Sequence, residues 1–490
     1  MGEKGKTVLS ALLAVSITFS LQNQAVADNA NRKVILDSFA ESSTGKSEVY
    51  ALPEAQVQKI IDNVQTDYQK DMQFCETLTS APCAGQTGLS LRIFLPVCTL
   101  VTNSLCIEAL SISSDSSNSL VKANFLGTSE GRFYAADPAR GFPEAGAPSR
   151  WLVPGVDNLG GSQTYVTKVL LDGYISSTTK KLFVFDLNAI VQGYIGTDSI
   201  LSTTSLSEKQ RVSLTLHLPN TVTGWLNGRL TNPNISISQI DQSQNRITVE
   251  ANPVLVPEVD VTLTAEQEAS LPNPRFFREA FGVWKSTNAG NEAAVDWIKQ
   301  LSTVMKDTST GEHTSWFFSS AGSNPANAPN KCLQDKTRLL GLVTTNAAAY
   351  SPGAPDFANG FLNYRVAGLH YRPDGKSLTT GTYDLLIKSE VARCLYNFTA
   401  APISASISVS YEGSDKQIST TVVSEKDGWL HLGAYGFTFS QPTLKIKLSG
   451  TVVKTNESKK VNPVITCKKG KNLQKITGVK PVCPKGWIRQ

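Results

Sequence analysis

Alternation of apolar and polar residues is clearest between Phe361 and Leu448. Six segments there have a period close to two, and Gly, Pro, Asp or Ser turns separate them. Their sequences are FLNYRVAGLHYRPDG, TYDLLIKSEVARCLYNF, ISASISVSYEG, ISTTVVSEKDG, WLHLGAYGFTF and PTLKIKLSG. Strands at such regular spacing predict an antiparallel β-sandwich.

A second group of short strands is predicted between Leu89 and Val261, and two helices flank it. The first helix begins at Pro53–Glu54, where proline and an acid suit the first turn. Its predicted apolar stripe comprises Val57, Ile60, Ile61, Val64, Tyr68 and Met72. The second helix, capped by Asn291, has an apolar face that comprises Ala294, Val295, Ile298, Leu301, Val304 and Met305.

The strand pattern is lost between Val261 and Pro274, which indicates a domain boundary. We expect a mainly β protein of two antiparallel β-sandwich-like domains, with minor helices and a small C-terminal disulfide hairpin module. The predicted divisions are a signal peptide (1–27), an N-terminal β-rich domain with a leading helix (28–265), a C-terminal β-sandwich domain (266–449) and a basic linker with a two-cysteine module (450–490).

The N-terminus has the three parts of a cleavable secretory signal. Lys4 and Lys6 give a basic start, an apolar run follows from Val8 to Leu21, and Ala25-Val26-Ala27 gives a small-residue end. The run is too short for a membrane span of about 20 residues, and no later segment is long enough to be one. We expect an exported mature chain that begins at Asp28, has no transmembrane segment and attaches to the cell surface only non-covalently.

Eight cysteines in an exported chain predict four disulfides. Proximity in the sequence pairs Cys75 with Cys83, Cys98 with Cys106, Cys332 with Cys394 and Cys467 with Cys483, although the sequence alone does not fix the pairing. A zinc site is disfavoured because no CxxC spacing occurs and there are only four histidines. We expect no metal and no cofactor.

Positive charge is concentrated at the C-terminus. From Lys445 onward there are eleven Lys, one Arg and one acid, a net charge of +11. The net charge of +5 for the whole chain becomes +4 without the signal peptide, so the remaining mature chain carries −7. A basic tail attracts polyanions in a salt-dependent way, and we expect it to bind an anionic cell-envelope polymer or polysaccharide. A solubilising extension is the alternative, and specific nucleic-acid binding is not expected, since Trp487 is the only aromatic residue there.

The tail sequence ITCKKGK followed by PVCPKGW resembles a small two-cysteine terminal module of secreted actinobacterial proteins. CIEALSIS, GWLNGRL, GLVTTNA and SEVARCLY similarly resemble segments of long secreted proteins from the same bacteria. The resemblance implies export and a surface location, and it carries over no functional residue.

No catalytic motif stands out. GxSxG is absent, and the two glycines of GLHYRPDGKS have the wrong spacing for a phosphate-binding loop. Paired carboxylates are the least excluded chemistry, since glycoside hydrolysis needs two acids about 5–10 Å apart. Two pairs are candidates: Asp384 with Glu390, and Glu425 with Asp427.

Ligand contacts are expected at one loop and in the tail. Residues 134–164 form a long Gly-, Pro- and Ala-rich segment, in which Trp151 is expected to be exposed and able to stack on a sugar ring. The tail candidates are Lys468, Lys469, Lys471, Lys475, Lys480, Lys485 and Trp487. His217 alternates with Leu216 and Leu218, so it is expected to be a solvated side chain.

These features favour a secreted or cell-surface protein without enzymatic activity, which binds or presents a ligand while its tail associates with anionic envelope polymers. The alternative is a secreted polysaccharide-acting enzyme that uses two carboxylates.

Overall fold

Strands dominate the computed structural model, which confirms the predicted mainly β fold. The residues described are 32–37, 46–62, 68–85, 88–99, 105–196, 202–271, 284–288, 292–320, 330–335, 337–399, 404–411, 414–417, 420–439, 443–450 and 463–490. The predicted signal peptide lies outside this range. No helix in the described ranges is long and apolar enough to cross a membrane.

The strands are numbered along the chain. The first eleven are β1 (Arg32–Asp37), β2 (Glu48–Leu52), β3 (Gln73–Phe74), β4 (Gly88–Phe94), β5 (Cys106–Ser113), β6 (Leu120–Lys122), β7 (Asn124–Thr128), β8 (Ser149–Leu152), β9 (Thr164–Ile175), β10 (Leu182–Tyr194) and β11 (Thr203–Thr204). The next eleven are β12 (Val212–Pro219), β13 (Gly224–Arg229), β14 (Thr231–Gln239), β15 (Gln244–Asn252), β16 (Val254–Leu263), β17 (Trp284–Asn288), β18 (Gly311–Ser315), β19 (Phe317–Ser320), β20 (Leu339–Thr345), β21 (Ala349–Tyr350) and β22 (Asp356–Ala358). The last ten are β23 (Phe361–Ala367), β24 (Thr380–Lys388), β25 (Ser404–Tyr411), β26 (Ser414–Gln417), β27 (Thr420–Lys426), β28 (Trp429–Thr438), β29 (Thr443–Ser449), β30 (Val464–Lys469), β31 (Asn472–Thr477) and β32 (Ile488–Arg489).

The helices are α1 (Glu54–Ile61), α2 (Ala265–Ala269), α3 (Glu292–Val304) and α4 (Ser389–Tyr396), and short 3₁₀ turns occur at Tyr68–Asp71, Pro138–Arg140 and Lys331–Leu333. The prediction of a helix at α3 is confirmed, and its apolar face packs in a core with Val259 and Leu369, whereas its predicted cap, Asn291, lies outside the described residues. The predicted first helix is shorter than its apolar stripe suggested, since α1 ends at Ile61 and a 3₁₀ turn contains Tyr68.

The prediction of a continuous strand over TYDLLIKSEVARCLYNF is wrong at its second half, which forms α4. Val391, Ala392 and Leu395 are buried at helical spacing. Asn397 ends the helix in the left-handed conformation, which asparagine adopts more readily than most residues.

A fourteen-stranded central sheet organises the fold. Its main order is β27-β28-β24-β20-β13-β19-β10-β9-β4-β2-β3, with β7, β8 and β11 attached beside this path. Four smaller sheets have the orders β14-β15-β12-β5-β6, β21-β23-β29-β25-β26 with β22, β17-β1-β16-β18, and β31-β30-β32. The central sheet therefore contains strands from both sides of residue 265, and the predicted division there stays a prediction.

Two cores lie on opposite faces of the central sheet. Leu226 and Leu342 join the core shared with Leu214 and Val249 of the five-stranded sheet. Their sequence neighbours Trp225 and Val343 belong to the second core, shared with Leu362, Tyr364 and Ile446 of the six-stranded sheet. Because successive strand residues point to opposite faces, the central sheet serves as one layer of two sandwiches.

All four predicted disulfides are confirmed: Cys75–Cys83, Cys98–Cys106, Cys332–Cys394 and Cys467–Cys483. Cys332–Cys394 joins the 3₁₀ turn before β20 to α4, so it connects chain segments 62 residues apart.

Candidate functional site

The C-terminal module, residues 463–490, is a three-stranded sheet closed by the Cys467–Cys483 disulfide. In β30, Ile465 and Cys467 are buried, while the residues that alternate with them face solvent or are half-buried. The module's small size explains its need for the disulfide, since so short a segment buries little apolar surface. Among the residues that the structure describes, its strands pair only with one another.

Every cationic side chain of the C-terminal module is exposed. These residues are Lys468, Lys469, Lys471, Lys475, Lys480, Lys485 and Arg489. The module contains no Asp or Glu, and none of the salt bridges within the described part of the chain involves these cations. The six predicted lysines are therefore all accessible, whereas Trp487 is half-buried.

The expectation that Trp151 is exposed is wrong. It lies in β8 opposite Tyr165 of β9 and is only 3% exposed. Its indole Nε1 donates a hydrogen bond to Thr167 Oγ1 at 2.9 Å, and the Phe125 ring packs edge-on against it. The indole lies in the core, so it offers no face to a sugar.

Residues 134–164 are more ordered than their Gly- and Pro-rich composition suggested. They contain a 3₁₀ turn at Pro138–Arg140 and the strand β8. The side chains of Tyr134, Phe142 and Val153 belong to the first core. This segment mainly covers the protein's interior.

His217 is held in an ion-pair network instead of being freely solvated. It points away from Leu216 and Leu218, as predicted, and its Nε2 lies 2.8 Å from Glu108 Oε2. Hydrogen bonds from Arg246, together with the contact to His217, lower the pKa of Glu108 to about 2. The sulfurs of Cys98 and Cys106 are also near His217, but their disulfide leaves no thiolate for a metal.

The acids of the two predicted carboxylate pairs contact residues outside their own pair. Glu390 pairs with Arg338 at 2.5 Å, and Glu425 accepts two hydrogen bonds from Arg393, at 2.6 and 2.9 Å. Asp427 is at an exposed turn.

Asp384, by contrast, is fully buried in a polar network. His431 Nε2 lies 2.7 Å from its Oδ1, and the Tyr435 hydroxyl donates to the same oxygen. Asn232, in a left-handed conformation, donates its backbone N–H to the other carboxylate oxygen. Burial and the negative charge of Asp384 raise the pKa of Tyr435. This network connects the segment at the start of β14 to the central sheet.

The structure reveals a different acid pair, Asp172 on β9 and Asp186 on β10. The two residues are directly opposite one another across the strand pair, beside a register shift between Val184 and Asp186. Directly opposite side chains share a face, with Cβ atoms about 4.5–5.5 Å apart. Asp172 is 7% exposed, Asp186 is half-buried, and Asn188 donates to Asp186 at 2.9 Å.

Burial dominates the electrostatics of this acid pair. It raises the pKa of Asp172 to about 6, with Arg92 opposing the increase and Glu48 adding to it. Burial also raises the pKa of Asp186 to about 7, and the charge of Asp172 adds to that increase. Both carboxyl pKa values are therefore raised towards neutral pH, as a general acid requires.

Two partly exposed phenylalanines lie beside the acid pair. The rings of Tyr174 and Phe185 stack with centroids 5.1 Å apart, and Phe183 and Phe185 are each 38% exposed. Sequence reasoning missed both acids, although each interrupts an otherwise apolar strand, VLLDGYI and LFVFDLN. An acid within such a run is a detectable signal, because a buried charge is costly unless it is paired or protonated.

Comparison with known proteins adds no family assignment: no family model matches the chain, and no match is found among curated proteins.

Proposed function

We propose that this chain is a secreted, surface-associated binding protein without enzymatic activity, and that its C-terminal module attaches it to an anionic cell-envelope polymer or polysaccharide. The main support is the set of seven exposed cations in a module that has no acid. Seven positive side chains within 28 residues create a field that concentrates polyanions, and salt screens that field over about 10 Å at 0.1 M.

The rest of the chain suits the role of a presented body. Its strands form two sandwiches that share the central sheet. Residues 450–462 link β29, the last strand of this body, to the C-terminal module. The body carries the opposite net charge to the tail, so a polyanion is attracted to the tail and repelled by the body. This division favours attachment through the tail alone.

Removal of residues 451–490 is expected to lower the affinity of the full mature chain for immobilised dextran sulfate by at least about 100-fold at 50 mM NaCl. Neutral dextran is the matched control and should retain neither protein. Because the module's strands pair only with one another within the described part of the chain, the truncated chain should keep the β-rich circular dichroism spectrum of a folded body. Equal, salt-insensitive retention of both proteins would overturn the proposed attachment.

A polysaccharide-acting enzyme is the second candidate, and the Asp172–Asp186 pair is the observation that favours it. Opposite acids with Cβ atoms about 4.5–5.5 Å apart can place their carboxyl groups at the about 5–5.5 Å used by retaining glycosidases, and the partly exposed rings of Phe183 and Phe185 are adjacent for sugar stacking. In this role the more exposed Asp186 is the general acid and Asp172 the second carboxylate. Reducing-sugar release by the wild type, abolished in Asp186→Asn, would favour the enzyme; the binding function predicts no release by either protein.

A further inference from the structure

One face of the C-terminal module combines exposed apolar side chains with lysines. Val464, Lys468, Leu473 and Lys475 share this face through the β30–β31 register, and Ile488 of β32 joins it opposite Lys468. Val464, Leu473 and Ile488 are 52%, 60% and 77% exposed. The opposite face carries the buried Ile465 and Cys467. The face that carries Val464, Lys468, Leu473, Lys475 and Ile488 is called the apolar–basic face.

Large exposed apolar residues are unusually dense in this module. Of the fifteen found among the described residues, five lie within its 28 residues, and they include the three most exposed, Val479, Val482 and Ile488. Attachment to a water-soluble polyanion needs only the cations. Exposed apolar side chains beside cations are instead typical of proteins that bind a surface with anionic groups outside and an apolar layer beneath them.

We propose that the apolar–basic face docks on an anionic lipid bilayer. The lysines pair with lipid headgroups, while Val464, Leu473 and Ile488 enter the boundary between headgroups and acyl chains. Charge complementarity favours an anionic bilayer over a second protein surface. Lys468 and Lys475 lie on the face itself, and the module's other five cations are exposed with no acid among them, so the module attracts a continuous anionic plane more strongly than scattered carboxylates. This inference rests on the proposed attachment through the C-terminal module, and it adds a lipid surface to the polymer as a partner of that module.

Vesicle flotation with the full mature chain tests the inference. We expect binding to vesicles of phosphatidylcholine with about 30% phosphatidylglycerol, and negligible binding to phosphatidylcholine alone. The apolar variant Val464→Ser/Leu473→Ser/Ile488→Ser should bind the anionic vesicles about 100-fold more weakly, since it loses three exposed aliphatic groups that become partly buried only on docking. It should bind soluble dextran sulfate within about twofold of the wild type, because its cations remain.

The matched control is Leu120→Ser/Leu126→Ser/Leu159→Ser, which changes three exposed leucines outside the module. It should bind vesicles like the wild type, and an intact Cys467–Cys483 disulfide with wild-type resistance of the module to proteolysis shows that each variant's module is folded. If the apolar variant binds anionic vesicles as well as the wild type, the lipid inference fails while polyanion attachment stands. If the wild type binds dextran sulfate but not vesicles, the lipid inference again fails alone. If it binds neither, the attachment function fails as well.

Discussion

Replacing Arg229 with alanine is expected to lower the free energy of unfolding by about 3–5 kcal/mol. Arg229 is only 1% exposed, and its guanidinium donates hydrogen bonds to the carbonyl oxygens of Thr345, Ala347 and Ala348. Its Cζ lies 4.8 Å from the centroid of the Tyr350 ring. Alanine leaves a cavity and three buried carbonyl groups without this donor, and urea unfolding followed by tryptophan fluorescence measures the loss.

Arg372→Ala is the matched control for this substitution. Arg372 pairs with Glu312 at 2.6 Å but is 44% exposed, so its removal should change stability by less than about 1 kcal/mol. Equal losses for the two variants would contradict the structural role assigned to the buried guanidinium.

Replacing Asp186 with asparagine is expected to stabilise the protein at pH 8 and to have little effect at pH 4. The pKa of Asp186 is about 7 in the folded chain, against an ordinary value of 3.8. Between these values the folded chain binds more protons than the unfolded chain, so stability falls as the pH rises. Asp186→Asn removes this penalty, and we expect a gain of about 1–3 kcal/mol at pH 8. Urea titrations at the two pH values measure it.

Glu108→Gln serves as a control of opposite sign. The pKa of Glu108 is lowered to about 2, so its ionised form contributes stability above its ordinary value of 4.5 and loses it as the pH falls towards 2. Glu108→Gln should therefore destabilise the protein at pH 8. An effect of Asp186→Asn that is the same at pH 4 and pH 8 would show that ionisation of Asp186 does not set the stability.

Local patterns in the sequence predicted the features that depend on neighbouring residues. The alternation in WLHLGAYGFTF gave strand β28, and the spacing of Ile298 and Leu301 gave α3. Proximity in the sequence also predicted the disulfide pairing, because three of the four bridges join cysteines that are only 8 to 16 residues apart. The helix α4 was missed because eight residues span only two turns and follow a strand without a break.

Features that depend on distant pairing were not predictable from the pattern. β13 pairs with β20 in parallel and with β19 antiparallel, and these pairings join the two halves of the chain in one sheet. Trp151 is buried because β8 adds to the edge of β9, which its Gly- and Pro-rich surroundings did not indicate. Asp172 and Asp186 meet only because of the β9–β10 register, which a one-residue shift would change.

The acid-free cationic surface was predictable from composition, since charge does not depend on fold in so short a segment. The sequence did not show which residues accompany the lysines. That required the β30–β31 register, which places Leu473 opposite Lys468 and Val464 on the same face.

The location of the binding charge is tested most directly by the affinity for dextran sulfate of two variants with equal net charge. In the module variant, glutamine replaces the exposed lysines Lys468, Lys469, Lys471, Lys475, Lys480 and Lys485. In the body variant, glutamine replaces the exposed lysines Lys59, Lys122, Lys180, Lys181, Lys209 and Lys376. At 50 mM NaCl we expect the module variant to lose at least about 100-fold in affinity and the body variant to stay within about threefold of the wild type. Equal losses in both variants would contradict attachment through the C-terminal module.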